Sequence, residues 1–482
     1  MKQIFRYMAI ATFALYAGNL SAQNLSSAYF LDGFAQGHEL NPAKDYDRKG
    51  YFGFPLSNIN VGVKGNLSLT DVLYKNPDPT GKKLVTYMHP SISYDEVMGN
   101  ISKNNKLLSD FRIELVSVGF RGFKGYNTIT LGLRGNVGAN IPKEFFDLTK
   151  QLSNKDYELN GLKATASTYA ELGLGHSHQV TDAWRIGGKI KFLVGGAYAN
   201  MQMDNLSLKL QDPNQWRATA NATMEVGIKG FTWGEPEIKQ YNDPSQGTYK
   251  QVDFDNIDVK SPGPNGFGLG FDLGAEWDLE KEFGVKGLKA SIALLDLGFI
   301  HWKRVSMAKN NGDEFIFDGF DDIKVKDGNG KTFEEQSDNI GDRLTDMYRI
   351  QAQPGTTSKT RSLGATLNVG VEYALPSYRH LKFGFLSTTR IQGNYSWNEE
   401  RFAVTVSPAK MFEVAANFGV GTLGCNIGWI INFHPRGFNL FLGSDHCIGK
   451  FSKQWAPLRS NYDFCMGINY PIGKSRIPKK AE

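Results

Sequence analysis

Alternation with a period of two constrains this chain more than any single motif does. Trp216, Ala218, Ala220, Ala222, Met224, Val226 and Ile228 fall on one face of an extended run, with Arg217, Thr219, Asn221, Thr223, Glu225 and Gly227 on the other. Phe267, Leu269, Phe271, Leu273, Ala275 and Trp277 likewise oppose Gly268, Gly270, Asp272, Gly274 and Glu276. In 362–373 the second face is Ser362, Gly364, Thr366, Asn368, Gly370 and Glu372, and 129–133, 164–174 and 184–194 read alike. These runs exceed the five or six residues usual for strands of soluble sheets. One face suits hydrocarbon and the other water, so the pattern predicts an all-β, antiparallel transmembrane β-barrel. A soluble sandwich also alternates. Strand length, turns that alternate short with long, and Trp184, Trp216, Trp277 and Trp302 at strand ends favour the barrel.

Fifteen strands are expected near 52–69, 111–122, 127–139, 161–175, 183–199, 214–228, 266–279, 286–300, 361–375, 380–392, 401–408, 411–420, 424–434, 437–447 and 461–472. Single-chain bacterial barrels have even numbers of strands, so one segment is miscounted. Counting from either terminus, short turns on one side and long loops on the other, gives assignments that collide within 229–265. A hidden strand at 249–259, or one at 200–213 through Leu206, Leu208 and Leu210, would restore parity. The expectation is about 14 strands, with 16 as the alternative. The segments 140–160, 301–360, 393–400 and 448–460 are the expected extracellular loops.

Residues 1–22 have the layout of a cleavable export signal, with Lys2 and Arg6 before an apolar stretch and Leu20-Ser21-Ala22 before Gln23. A hatch-like segment 23–50, a barrel 51–473 and a short periplasmic tail 474–482 would follow. Lys and Arg number 54 against 49 Asp and Glu, a near balance that gives no footing for nucleic acid. No stretch of the mature chain is long and apolar enough for a membrane helix. The expected location is the outer membrane of a Gram-negative cell, in contact with its lipid.

Polar faces turned to the lumen place Arg134, Lys163, Arg185, Lys189, Lys191, Arg217, Lys382 and Arg390 inside, with Glu171, Glu225, Asp272, Glu276, Asp296, Glu372, Asp445 and Asp463. Eight of each sign points to a lumen cross-linked by ion pairs or occupied by a plug, since an ion-selective pore more often carries a bias. In 286–300 the apolar face changes parity after Leu294, and a β-bulge at Leu294-Leu295 would turn Asp296 inward.

The early Asn41-Pro42-Ala43 before a barrel resembles the long-chain fatty-acid transporter superfamily and its relatives, which include a secretion-system outer-membrane shuttle. A nearer resemblance is to an uncharacterised Bacteroidota outer-membrane barrel family. It runs through Leu56-Ser57-Asn58-Ile59 after Phe54-Pro55, the run from Ala293-Leu294-Leu295-Asp296-Leu297 to Gly298-Phe299-Ile300-His301-Trp302, and Gly370-Val371-Glu372-Tyr373, Gly384-Phe385-Leu386-Ser387 and Phe441-Leu442-Gly443-Ser444-Asp445. The resemblance implies that Asn41, Pro42 and Ala43 belong to a hatch inside the barrel and that apolar ligands leave sideways through its wall. Lys44, Asp45, Asp47, Arg48 and Lys49 depart from that pattern and give the hatch a charged edge.

Other features read as structural. His176 and His178 lack a third nearby metal ligand and fit a turn. Asp327-Gly328-Asn329-Gly330 fits a hairpin better than a calcium loop, and 333–352 fits an amphipathic surface helix. Cys425 aligns with lipid-facing residues and Cys447 and Cys465 with inward ones, and no disulfide is expected between the latter two. No Ser, His and acid set assembles into a catalytic site, and neither metal nor cofactor is implied. The reading is a plugged barrel for passive uptake of a small apolar or amphipathic molecule. The alternative is a non-transporting adaptor or structural partner of a surface or secretion complex.

Overall fold

The structure is a computed structural model that describes residues 25–77, 84–150, 155–209, 216–240, 247–252, 257–310, 312, 315–317, 350–447 and 461–473. The expected signal segment, the Asp327–Gly330 turn, the tail and most of 333–352 lie outside them. Within the last, Gln351–Ala352 is described, and it pairs as a strand with Lys309 and Ala308 instead of ending a helix.

The chain forms a closed antiparallel barrel of 14 strands. The wall is built from β1 (Gly50–Gly53), β2 (Asn58–Gly65), β3 (Asn104–Gly122), β4 (Gly125–Pro142), β5 (Leu162–Gln179), β6 (Trp184–Lys209), β7 (Trp216–Val226), β8 (Gly266–Asp278) and β9 (Leu288–Lys309). It continues through β10 (Thr357–Ser362), β11 (Ala365–Ala374), β12 (Leu381–Ile391), β13 (Trp397–Ala409), β14 (Phe412–Gly421), β15 (Gly424–Phe433), β16 (Asn439–Ser444) and β17 (Tyr462–Ile472). Closure comes from the first and last strands, Gly50 opposite Ile472 and Val63 opposite Tyr462.

Seventeen segments make 14 wall positions because three positions are shared. β1 with β2 and β10 with β11 are interrupted single strands. The third pair settles the parity problem: β7 covers β6 from Lys209 down to Ala199, and β8 takes over the same edge from Gly195 to Trp184. Among the described residues of 229–265 no strand joins the wall. Tyr249 belongs to a separate two-stranded hairpin, and Val259 pairs with Phe231. Leu206 and Leu208 lie on the outer extension of β6, which reaches Lys209 where the alternation suggested an end near 199.

Turns are short at one end of the barrel, and the long loops gather at the other, where only the turn at Thr422-Leu423 is tight among the described residues. Phe123 and Lys124 join β3 to β4 in a two-residue turn with φ of 55° and 60°, the mirror-image geometry that matches strand twist. At the other end 66–103 carries a helix Tyr94–Asn100 and, with Lys143–Lys150, builds a core of Leu67, Tyr87, Ile92, Val97 and Phe146 outside the barrel. Around the wall, Leu131, Leu133, Leu172, Leu174, Ile190, Phe192, Phe267, Phe271, Phe402, Phe418 and Leu440 are exposed. An apolar band of this extent is the surface that a bilayer covers.

Candidate functional site

The lumen is organised by one irregularity in the wall. Pairing of β8 with β9 shifts between Phe271 and Leu273, so that Asp272 faces a two-residue bulge, Leu295-Asp296. Asp296 has φ of 58°, a left-handed backbone that Asp tolerates better than most residues, and its N–H donates to Asp272 Oδ1 at 2.7 Å. The bulge was legible in the parity change, and its result is an inward carboxylate.

Asp296 collects Lys191 at 2.5 Å, Arg134 at 2.7 Å and Arg390 at 3.5 Å. Lys191 also meets Asp272 at 2.6 Å, and Arg134 meets Glu171 at 3.0 Å. Arg112 pairs with Glu114 at 3.1 Å and with Glu39, which also holds Lys189. Five carboxylates thus face five cations, all nearly or wholly buried. Charges out of water are tolerated only when paired and hydrogen-bonded, and a balanced lattice meets that condition. Glu39 is the one member that does not come from the wall.

Glu39 belongs to residues 25–49, which fold against the inward side chains. Two short 3-10 turns, Ser26–Ala28 and Ala35–Glu39, leave many backbone donors unsatisfied, and wall carboxylates accept them. Asp445 takes the N–H groups of Ser26 and Ser27, both at 2.7 Å, and Glu413 those of Asp32 at 3.2 Å and Gly33 at 3.0 Å. Asn368 donates to Leu40 O, and Lys382 pairs with Asp32 at 2.7 Å. At the short-turn end Asp45 pairs with Arg121 and Arg185, while Arg48 donates to the carbonyls of His434 and Pro435.

Asn41, Pro42 and Ala43 sit where the wall has no side chain. Asn41 Oδ1 accepts the Ala43 N–H at 2.9 Å, a local turn, while its Nδ2 donates to Ala275 O. A Cβ on Gly274 would stand 2.0 Å from Asn41 Oδ1, and one on Gly187 would stand 2.2 Å from Pro42 O. Two inward glycines therefore admit the motif to the wall.

A second buried cluster lies near Ser27. Ser27 Oγ donates to Asp445 at 2.5 Å and accepts from Asn417 at 2.7 Å. Arg401 pairs with Glu399 at 2.9 Å, and His446 bonds Asp463 through Nδ1 and faces Glu399 at 3.4 Å. Among the described residues no hydrogen bond joins Ser27 to His446.

Of the lumenal residues expected from sequence, Arg134, Glu171, Lys189, Lys191, Asp272, Asp296 and Arg390 join the lattice. Glu372 holds Lys382 at 3.3 Å, and Lys163 pairs with Asp204 at 3.4 Å. Glu225 sits where β7 hands over to β8, bonded to Tyr198 at 2.7 Å and to Arg361 and Lys359 of β10. Glu276 is half-buried, with no ion pair among the described residues. Arg217 is a correction: its parity is inward, but it is exposed at the end of β7. Cys447 is another, exposed because β16 ends at Ser444, with its thiol donating to Ile427 O. Cys425, Cys447 and Cys465 are free thiols. His176 and His178 stack within β5, their ring centroids 6.1 Å apart, and not in a turn.

Sequence reasoning missed Arg112, Glu114, Glu399 and Arg401. Asp110, Arg112 and Glu114 are spaced by two, as are Glu399 and Arg401, a signal obscured by drawing strand starts at 111 and 401. Glu413 shares the inner face of the expected strand 411–420 with Asn417 and carried the same signal, whereas Glu39 and His446 carried none.

A family model matches residues 42–445 of this alternating, bulged chain. The chain belongs to the family of unknown function DUF5723. No curated protein matches this DUF5723 member in sequence. Its fold is similar to that of the toluene transporter TodX of Pseudomonas putida, with 8% identity, 90% of this chain and 92% of the other covered, and a TM-score of 0.39. The toluene transporter TbuX of Ralstonia pickettii gives 6%, 92%, 94% and 0.41. A FadL homologue of Pseudomonas aeruginosa gives 10%, 94%, 100% and 0.42.

Proposed function

We propose that the protein is an outer-membrane barrel, closed at rest by residues 25–49 acting as a hatch, for passive uptake of a small amphipathic molecule. The observation that carries this reading is the attachment of the hatch. It is held by short contacts to separate carboxylates and cations at Glu39, Asp32, Ser26, Ser27 and Asp45, with no strand of its own in the wall. Apart from one backbone bond at its end, Arg121 N–H to Lys49 O, every contact to the wall runs through a side chain, and a segment bound in this way can leave without breaking the barrel's hydrogen-bond ladder. The bulge at Asp296 lies beside it, where the wall ladder is already interrupted. Wholly apolar cargo fits this lumen poorly, since the groups that meet it are charged.

Swelling of proteoliposomes tests the reading. Those holding Gly274→Val should take up a small amphipathic solute faster than those holding the parent protein, and equal rates with a folded variant would contradict it. A second reading, an adaptor for a surface or secretion complex, is favoured by the packed core that the long loops build outside the barrel.

A further inference from the structure

Between the hatch and the wall lies a lumenal cavity, part of it open to solvent, with Ser26 and Leu40 on its hatch side. Its polar lining falls into two sets. Asp110 supplies a carboxylate that, among the described residues, accepts no hydrogen bond and has no cation within 4 Å. Beside it in the lining are Asn368 and Thr388, only 4% and 3% exposed, whose Oδ1 and Oγ1 have no partner. These are acceptors in search of a donor.

The opposite set consists of donors. Arg390 spends Nη1 on Thr366 at 2.9 Å and on Asp296 at 3.5 Å and Nε on Gln392 at 3.4 Å, and its Nη2 has no acceptor among the described residues. Arg134, which shares Asp296 with it, has an Nη2 that is buried without a hydrogen bond. Tyr169 and Leu295 supply apolar surface to the same cavity. Buried polar groups left unpaired cost free energy, and groups of both signs left unpaired around one space define the ligand that would satisfy them.

We propose that this cavity binds a free amino acid with an apolar side chain, its ammonium on Asp110 and its carboxylate on Arg390, its side chain against Tyr169 and Leu295. A zwitterion adds no net charge, so it leaves the balance of the neighbouring lattice undisturbed, whereas a simple acid or amine upsets it. The inference deepens the uptake reading and rests on it for what the bound molecule does, though binding itself needs no transport.

Calorimetric titration of the full-length protein in detergent, with L-leucine, 4-methylpentanoate and isoamylamine, tests it. Leucine should bind saturably, and each one-ended analogue should bind at least about tenfold more weakly, the cost of leaving one set of groups unpaired. Asp110→Asn should erase the preference for leucine over 4-methylpentanoate, and Arg390→Gln that over isoamylamine. Absence of saturable leucine binding to folded protein overturns the proposal, as does an analogue that binds equally well, or preferences unchanged in both variants. Because no bilayer is involved, equal swelling of proteoliposomes holding Gly274→Val and the parent protein would sink the uptake reading and leave this result standing.

Discussion

Asn41 meets the wall at Gly274 so closely that a methyl group there would stand 2.0 Å from its side-chain oxygen. The strand has a glycine at the point where the hatch arrives, and the fit can be spoiled from the wall side without touching the hatch sequence. Gly274→Val should displace Asn41 and raise the frequency of channel openings in a barrel that still shows heat-modifiable migration. Gly188→Ala, where the nearest atom would be 3.7 Å away, should behave as the parent does.

Glu39→Gln leaves Arg112 and Lys189 sharing a neutral amide in a buried place. Removing one partner from a buried ion pair costs about 3 kcal/mol, and here two cations lose it together. Denaturant unfolding followed by tryptophan fluorescence should show a lower midpoint, with the hatch cut by protease before the barrel unfolds. An unchanged midpoint would mean that the lattice does not hold the hatch.

Burial holds the His38 imidazole below its usual range, because the charged form has no water around it. Its Nε2 lies 2.6 Å from Tyr51 Oη. A released hatch would take up a proton once the pH falls below about 6.5, and the seated one would not. Stability contributed by seating is therefore present above that pH and is lost as pH falls, by at most about 1.4 kcal/mol per unit for one proton. Hydrogen exchange of 35–40 should accelerate between pH 7.5 and 5.5 beyond the intrinsic pH dependence, and His38→Gln should abolish the difference.

Cys425 and Cys447 are exposed and Cys465 is buried. Maleimide should label two thiols in the folded protein in detergent and the third only after denaturation. In liposomes a membrane-impermeant reagent should reach Cys447 and not Cys425, whose neighbours Val420 and Ile427 face outward. Labelling of Cys465 in the native state would contradict the packing of β17.

The wall was largely readable in the sequence because a barrel strand writes its two faces into alternate residues. The run 267–277 against 268–276, and the parity change at Leu294, led directly to β8 and to Asp296. Where reading failed, the cause was that alternation marks faces and not partners. Nothing in 214–228 or 266–279 says that both pair with β6, so a shared wall position looked like two strands. Parity also ignores position along the strand, which is why Arg217 was placed in the lumen although it is exposed at the end of β7. The hatch segment could be delimited by its lack of alternation, and its charged edge was visible at Asp45 and Arg48. Glu39 was not, because its role depends on Arg112 and Lys189, 73 and 150 residues away.

Single-channel conductance tests the central claim most directly. The refolded full-length protein should be silent in planar bilayers, and the variant lacking 25–49, folded by heat-modifiable migration, should give discrete, large steps. Steps of the same size from both, or silence from both, would contradict a barrel closed by its own N-terminal segment.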